Sequence, residues 1–416
     1  MTASRSLVGR CLVGITVLVS AGCDAGASPP AAAEGTLLLV ATSAQLEAGT
    51  RARLELLRAH EGRWELEVLE DPESAVFHRA HCEGGDPTRL VTAAGTRAAL
   101  SSWRREGAEW RSTELFRPEG SARSTRVRDF ERGVVTLADG TRSDVFVVGT
   151  HDVGEVTLVV PGAEPSSVEL DRGTNTLVHE IELGDADGDG ALEVYATRSP
   201  PNTLVAGIEQ PGVVVRYEPR TGRTTQLLDL APRHAKEILA TDLDRDGRDE
   251  LYVVVEALLG ADVEGRSTIV EPVEILRLGA SDPPGGTRIA TLPDRQTRSL
   301  VACDLDADGV DELVAGAFSS GLWRIQLRAG ADGIGVESEL EPIDTSSGGF
   351  EHAVLCVDLE LDGRDDLVVA DDASGEIRRY TRRGDVFERA VIHRRAPGSA
   401  ITWNIDVCRA DERGRP

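Results

Sequence analysis

Four short stretches of the chain place acidic residues at every second position and follow them with glycine. They are "DADGDGALE" from Asp185, "DLDRDGRDE" from Asp242, "DLDADGVDE" from Asp304 and "DLELDGRDD" from Asp358. Such spacing suits a hard divalent cation: calcium takes six to eight oxygen ligands at about 2.3–2.6 Å and tolerates irregular geometry. Carboxylates at positions 1, 3 and 5 can curl onto one centre, and glycine at position 6 permits the reversal. The carbonyl at position 7 adds a donor and position 9 returns another carboxylate. The first set is Asp185, Asp187, Asp189, the carbonyl of Ala191 and Glu193; the second is Asp242, Asp244, Asp246, the carbonyl of Arg248 and Glu250. The third is Asp304, Asp306, Asp308, the carbonyl of Val310 and Glu312; the fourth is Asp358, Glu360, Asp362, the carbonyl of Arg364 and Asp366. Glu360 has the longer side chain at position 3, which weakens that site. A single Asp-Gly hairpin is an ordinary solvated turn. Four in register, each gathering carboxylates that repel one another without a cation, point to about four structural calcium sites.

Position 12 separates these loops from an EF-hand, which puts a bidentate Glu there. Here it is Ala196, Val253, Ala315 or Val369, each inside an apolar run. The loop is therefore a hairpin between strands, and all-oxygen ligation disfavours zinc and copper.

The loops belong to a repeat that runs the length of the chain. Their first aspartates are 57, 62 and 54 residues apart. Weaker copies lie upstream: "DGTRSDVFVVGTHDVGEVTLVV" from Asp139 keeps the Asp-Gly, and "DPTRLVTAAGTRAALSSWRREGAEWRSTELF" from Asp86 keeps only the strand pattern. "TLLLVATS" at 36–43 and the stretch after it supply the later strands of a further unit that lacks its opening strand. That strand is found at the other end: "SAITWNIDVCRADERG" aligns with "RSLVACDLDADG", so Cys408 falls on Cys303 and Gly414 on Gly309. About four short, alternating strands in about 50 residues make a propeller blade. Seven units, with the last strand completing the first blade, predict an all-β, seven-bladed β-propeller closed by its C-terminal strand. The degenerate blades cover about 36–174 and the acidic-loop blades about 175–398, within a propeller spanning 36–414.

The D-x-D-x-D-G-x-x-[DE]-L unit resembles the FG-GAP and VCBS repeats of the integrin α-subunit propeller. The resemblance covers 36–414, sharply over the four loops and loosely elsewhere. It implies a seven-bladed ring with calcium between the first two strands of some blades.

At the N-terminus, Arg5 and Arg10 precede "CLVGITVLV", too short to span a bilayer, and the run ends in "SAGC". This resembles a bacterial lipoprotein signal, which implies removal of residues 1–22 and lipidation of Cys23, with 23–35 as a flexible tether. The plainer alternative is an ordinary secretory signal. Either way the protein is expected outside the cytoplasm. Lipidation would anchor it to a bacterial membrane, on the periplasmic or the cell-surface face. The balance of 45 Lys+Arg against 71 Asp+Glu, a net charge of -26, excludes a nucleic-acid partner. A protein or glycan is the expected ligand, and the chain is expected to be a monomer.

Other chemistry is sparse. The sequence has no G-x-S-x-G, Walker, H-E-x-x-H or C-x-x-C motif. "HRAHC", His78 to Cys82, is a weak metal cluster because strand alternation separates His78 from His81; a plain blade edge is expected there. Six residues before each loop stand His179, Lys236, Arg298 and His352. Period-two geometry puts each on the face of an apolar pair that packs between blades, so the four form a partial cationic ring near the channel mouth. Such a ring could hold an anion such as a carboxylated sugar, or merely cap the blades. Cys303 and Cys356 face each other across neighbouring blades, and buried thiols are expected rather than a disulfide. The resulting expectation is a calcium-binding binding or scaffold module without catalysis. The alternative is a calcium-dependent, polysaccharide-lyase-like enzyme acting at the channel mouth.

Overall fold

The computed structural model describes residues 32–44, 51–95, 98–120, 125–200, 211–329, 336–346 and 349–408. The signal segment, Cys23 and most of the tether lie outside them. Seven four-stranded antiparallel sheets stand around a channel. Their innermost strands are Ala400–Cys408 in blade 1, Phe77–Cys82 in blade 2 and Val127–Thr136 in blade 3. Blades 4 to 7 begin with Leu177–Gly184, Ala235–Thr241, Thr297–Cys303 and Glu351–Val357. The only helical element among the described residues is a single 3-10 turn, Glu83–Gly85, and no helix there is long and apolar enough to cross a membrane.

Ring closure follows the sequence expectation. Ala400–Cys408 pairs with Leu37–Ala44, from Leu37 opposite Cys408 to Ala44 opposite Ala400. Strands from both chain ends thus share one sheet, and the C-terminal strand gives blade 1 its innermost strand. Blades pack through apolar faces: Tyr252, Val254 and Ile275 of blade 5 meet Leu300, Leu313 and Ala315 of blade 6, all buried. Each such side chain contributes about 1.5–3 kcal/mol. Position 12 of the loops lies in this layer, with Ala196, Val253, Ala315 and Val369 fully buried.

Two features depart from expectation. Cys303 and Cys356 form a disulfide, not a pair of thiols, because their Cα atoms stand 5.7 Å apart across blades 6 and 7. A second disulfide, Cys82–Cys408, joins blades 1 and 2 across 326 residues of chain. Both link the residue just before position 1 in one blade to the residue two before it in the next, so one repeat geometry is used twice. The other departure is an added hairpin in blade 5, Leu258–Ala261 with Ser267–Glu271. It accounts for the longest spacing between loops, 62 residues.

Candidate functional site

The acidic loops occupy one end of the channel strands. All four share a backbone: position 4 has positive φ in Gly188, Arg245, Ala307 and Leu361, and position 6 has it in Gly190, Gly247, Gly309 and Gly363. Position 4 therefore costs strain wherever it is not glycine, about 1–2 kcal/mol. The aspartate at position 1 accepts hydrogen bonds from the amides of positions 5 and 6, for example Asp246 N and Gly247 N on Asp242 at 3.1 and 2.9 Å. These bonds curl the loop.

The carboxylates of Asp242, Asp244, Asp246 and Glu250 present oxygens that all lie within 4.8 Å of one another. Asp185, Asp187 and Asp189 converge in the same way, as do Asp304, Asp306 and Asp308. Glu193 and Glu312 stand apart from those groups. In the fourth loop no such group forms among the described residues; its position 3 is the longer Glu360, which Arg379 holds at 2.8 Å. The carbonyls of Ala191, Arg248, Val310 and Arg364 follow the glycine as expected; the amides of those residues bond back to position 5.

Position 9 carries a feature that sequence reasoning missed. One oxygen of Glu193, Glu250, Glu312 and Asp366 accepts the amide of position 2, at 3.1–3.3 Å. In three blades an arginine from the third strand takes the same carboxylate: Arg277 with Glu250 at 3.0 Å, Arg324 with Glu312, and Arg379 with Asp366 at 2.8 Å. Each also reaches position 3, at Asp244, Asp306 and Glu360. The guanidinium is a built-in counter-charge, so position 9 is tied to the fold rather than turned wholly toward a central ion. Even so, burial pushes Glu193 and Glu250 up to about 7. No spacing in the sequence ties these arginines to the loops, and without the loop as a frame an Arg on a strand reads as surface.

The opposite end of the channel holds the second cluster. Arg298 and Asp304 are six residues apart on one strand, which at about 3.3 Å per residue is about 20 Å. His179, Lys236, Arg298 and His352 all sit where the pairing register slips by a β-bulge. The bulge replaces the uninterrupted alternation expected there, and turns these side chains toward the channel end. The same bulge falls at Trp403, His78 and Arg128 in blades 1 to 3. The ring is thus sevenfold, not partial. Trp403 was legible from the alignment of the last strand on "RSLVACD"; His78 and Arg128 had no intact loop from which to count. His78 lies on the innermost strand, at the channel edge of its blade, and His81 bonds to Asp406 at 3.0 Å.

A cavity of about 260 Å³ opens here, lined among others by His78, Arg128, Arg298, His352 and Trp403. Rings stack around it edge to face: Phe350 on His352, His352 on Trp403 and Trp403 on His78, with centroids 4.7–4.9 Å apart. Below the ring, one residue further along each strand, lie Arg79, Asp129, Glu180 and Glu237. Asp129 takes Arg79 at 2.7 Å and the amide of Ile181 at 2.8 Å, and Glu237 takes the amide of Leu300 at 3.0 Å. Burial pushes Glu180 and Glu237 up. His352 is pulled down to about 3 by burial and by Arg298 and Arg128, while its Nδ1 meets the carbonyl of Thr402 at 2.6 Å.

No protein-family model and no curated protein sequence matches the chain. Solved structures do match in fold. A putative 6-phosphogluconolactonase from Bacteroides fragilis aligns with TM-score 0.50 at 12% identity, covering 91% of this chain and 99% of that one. A putative 6-phosphogluconolactonase from Bacteroides uniformis aligns with TM-score 0.50 at 10% identity, covering 90% and 99%. At such identities the likeness is one of architecture, and this chain has the seven-bladed propeller fold in common with them.

Proposed function

We propose that this chain is a calcium-binding, envelope-anchored β-propeller that serves as a binding or scaffold module without catalysis. The observation that carries the calcium reading is the convergence of Asp242, Asp244, Asp246 and Glu250 within 4.8 Å. An all-oxygen, carboxylate-rich donor set on a flexible hairpin fits calcium better than magnesium, which demands stricter geometry. The ion would supply positive charge and coordination at the hairpin tips; the chain's own amides and arginines shape the loops around it. The anchor would be a lipid on Cys23, at a bacterial membrane.

Binding is favoured over a lyase-like reaction by the state of the mouth histidines. A general base works best with a pKa near the working pH. His352 is held at about 3, and burial together with Arg128 and Arg298 pulls His179 well below its ordinary value. The names of the two fold neighbours concern those proteins, and at 12% and 10% identity they bring no lactonase reading to this one.

The test is a pair of assays on purified protein. Chelation is expected to lower the melting temperature, with calcium restoring it, and acidic polysaccharides are expected to survive incubation intact. An unchanged melting temperature would sink the calcium reading. Turnover that disappears in His352→Ala or His179→Ala would replace the module by an enzyme.

A further inference from the structure

Buried cations normally have carboxylate partners, since an unpaired buried charge costs several kcal/mol. At the channel mouth this rule is broken twice. Arg128 is 7% exposed; among the described residues its guanidinium contacts the imidazoles of His78 and His179 and the ring of Trp403, and feels Glu180 and Asp129 without forming an ion pair with either. Lys236 is 5% exposed, and among the described residues no carboxylate lies within ion-pair distance of it. Arg298, which lines the cavity, has a single acidic partner, Glu256 at 3.1 Å. His78 lines the cavity too, is 1% exposed, and its Nε2 has no hydrogen-bond partner. Arg128, Arg298 and the unpartnered imidazole nitrogen of His78 line one cavity, and Lys236, at the same ring position on the neighbouring strand, adds its charge from outside the lining; together they are groups in want of an anion.

The floor of the cavity asks for the opposite. Asp129, Glu180 and Glu237 line it as acceptors. They would take hydrogen bonds from hydroxyl groups. We infer that the channel mouth binds a small sugar acid, its oxyanion held by Arg128 and Arg298 within the field of the neighbouring Lys236, and its hydroxyls directed at the carboxylates beneath. This deepens the binding reading and rests on it: the site is a seat for a ligand, not a reacting centre. The depressed pKa of Lys236, brought to about 8 by burial and by Arg298 and only partly opposed by Glu256, agrees with an excess of positive charge at the mouth.

The experiment is a calorimetric titration of the calcium-loaded full chain with four probes: glucuronate, glucose, inorganic phosphate and glutamate. Glucuronate is expected to bind at one site, at least ten-fold more tightly than phosphate, with glucose silent. Lys236→Met and Arg128→Gln should each weaken glucuronate binding at least ten-fold. Lys236→Met should also melt at the same or a higher temperature than wild type, because it removes an unpaired buried charge; this separates lost binding from lost folding. Silence of glucuronate, binding of glucose as tight as that of glucuronate, or tighter binding of glutamate would each overturn the sugar-acid assignment. Glucuronate binding alongside turnover of its polymers would leave the site standing and remove only the non-catalytic reading.

Discussion

The two ends of the channel are built from the same repeat and handle charge in opposite ways. At the loop end, negative charge is dense but answered from within: amides of positions 5 and 6 bond to position 1, and Arg277, Arg324 and Arg379 hold positions 3 and 9. At the mouth, Arg128 and Lys236 are buried and, among the described residues, no carboxylate lies within ion-pair distance of either. The lesson is that a charged cluster can be structural or receptive, and the count of internal partners tells which. The loop end reads as a device for stability on which an ion adds a further clamp. The mouth reads as stability given up for a ligand.

The sharpest way to break that contrast is to remove an internal counter-charge. Arg379 is buried with Asp366, both nearly inaccessible. Arg379→Met leaves that carboxylate unpaired and is expected to cost about 3–5 kcal/mol in urea unfolding. A loss under 1 kcal/mol would mean the guanidinium does not hold the loop. Next in size come the disulfides. Replacing Cys82 and Cys408 together by Ala should cost about 2–4 kcal/mol, and more than the same change at Cys303 and Cys356, because the closed loop spans 326 residues against 53. Equal costs would show that the ring's closure adds nothing to the unfolded-chain constraint.

The third prediction bears on the mouth. Burial first, then Arg298 and Arg128, pull the Lys236 ammonium down to about 8, with Glu256 opposing them. Anion binding needs the charged form, so glucuronate affinity should be retained below pH 8 and fall as pH rises through it. A bound anion, favouring the protonated state, would move the midpoint upward. Lys236→Arg should abolish the fall, and an unchanged profile would remove Lys236 from the site. The smallest effect is expected in the fourth loop: Glu360→Asp should shorten position 3 to the side chain that the converging loops carry there and add a calcium equivalent to a titration. No gain would show that some other residue keeps that loop from gathering its carboxylates.

Much of this was legible in the chain. The alternating carboxylates, the near-constant period and the orphan final strand define the ring, because each is a local pattern repeated. What could not be read were relations between strands. The arginines of the third strands meet the loops only after the hairpins fold over, and no spacing marks them. The bulges at the ring depend on how two strands pair, so period-two counting placed His179 and Lys236 correctly in sequence but missed that the register slips there. Blades 2 and 3 lost their loops and with them the frame that would have shown His78 and Arg128. The cysteines misled for a related reason: strand facing brought Cys303 and Cys356 together without fixing their separation, and the same inter-blade geometry bonds Cys82 to Cys408.

The central claim is that the loop end binds calcium within a fold already held together. Calorimetric titration of calcium into chelator-treated protein tests it most directly. The account predicts saturable binding at about three loops, those of Asp185, Asp242 and Asp304, with Asp242→Asn removing one equivalent and the chelated protein still folded. Absence of binding heat, together with a melting temperature indifferent to calcium, would contradict it.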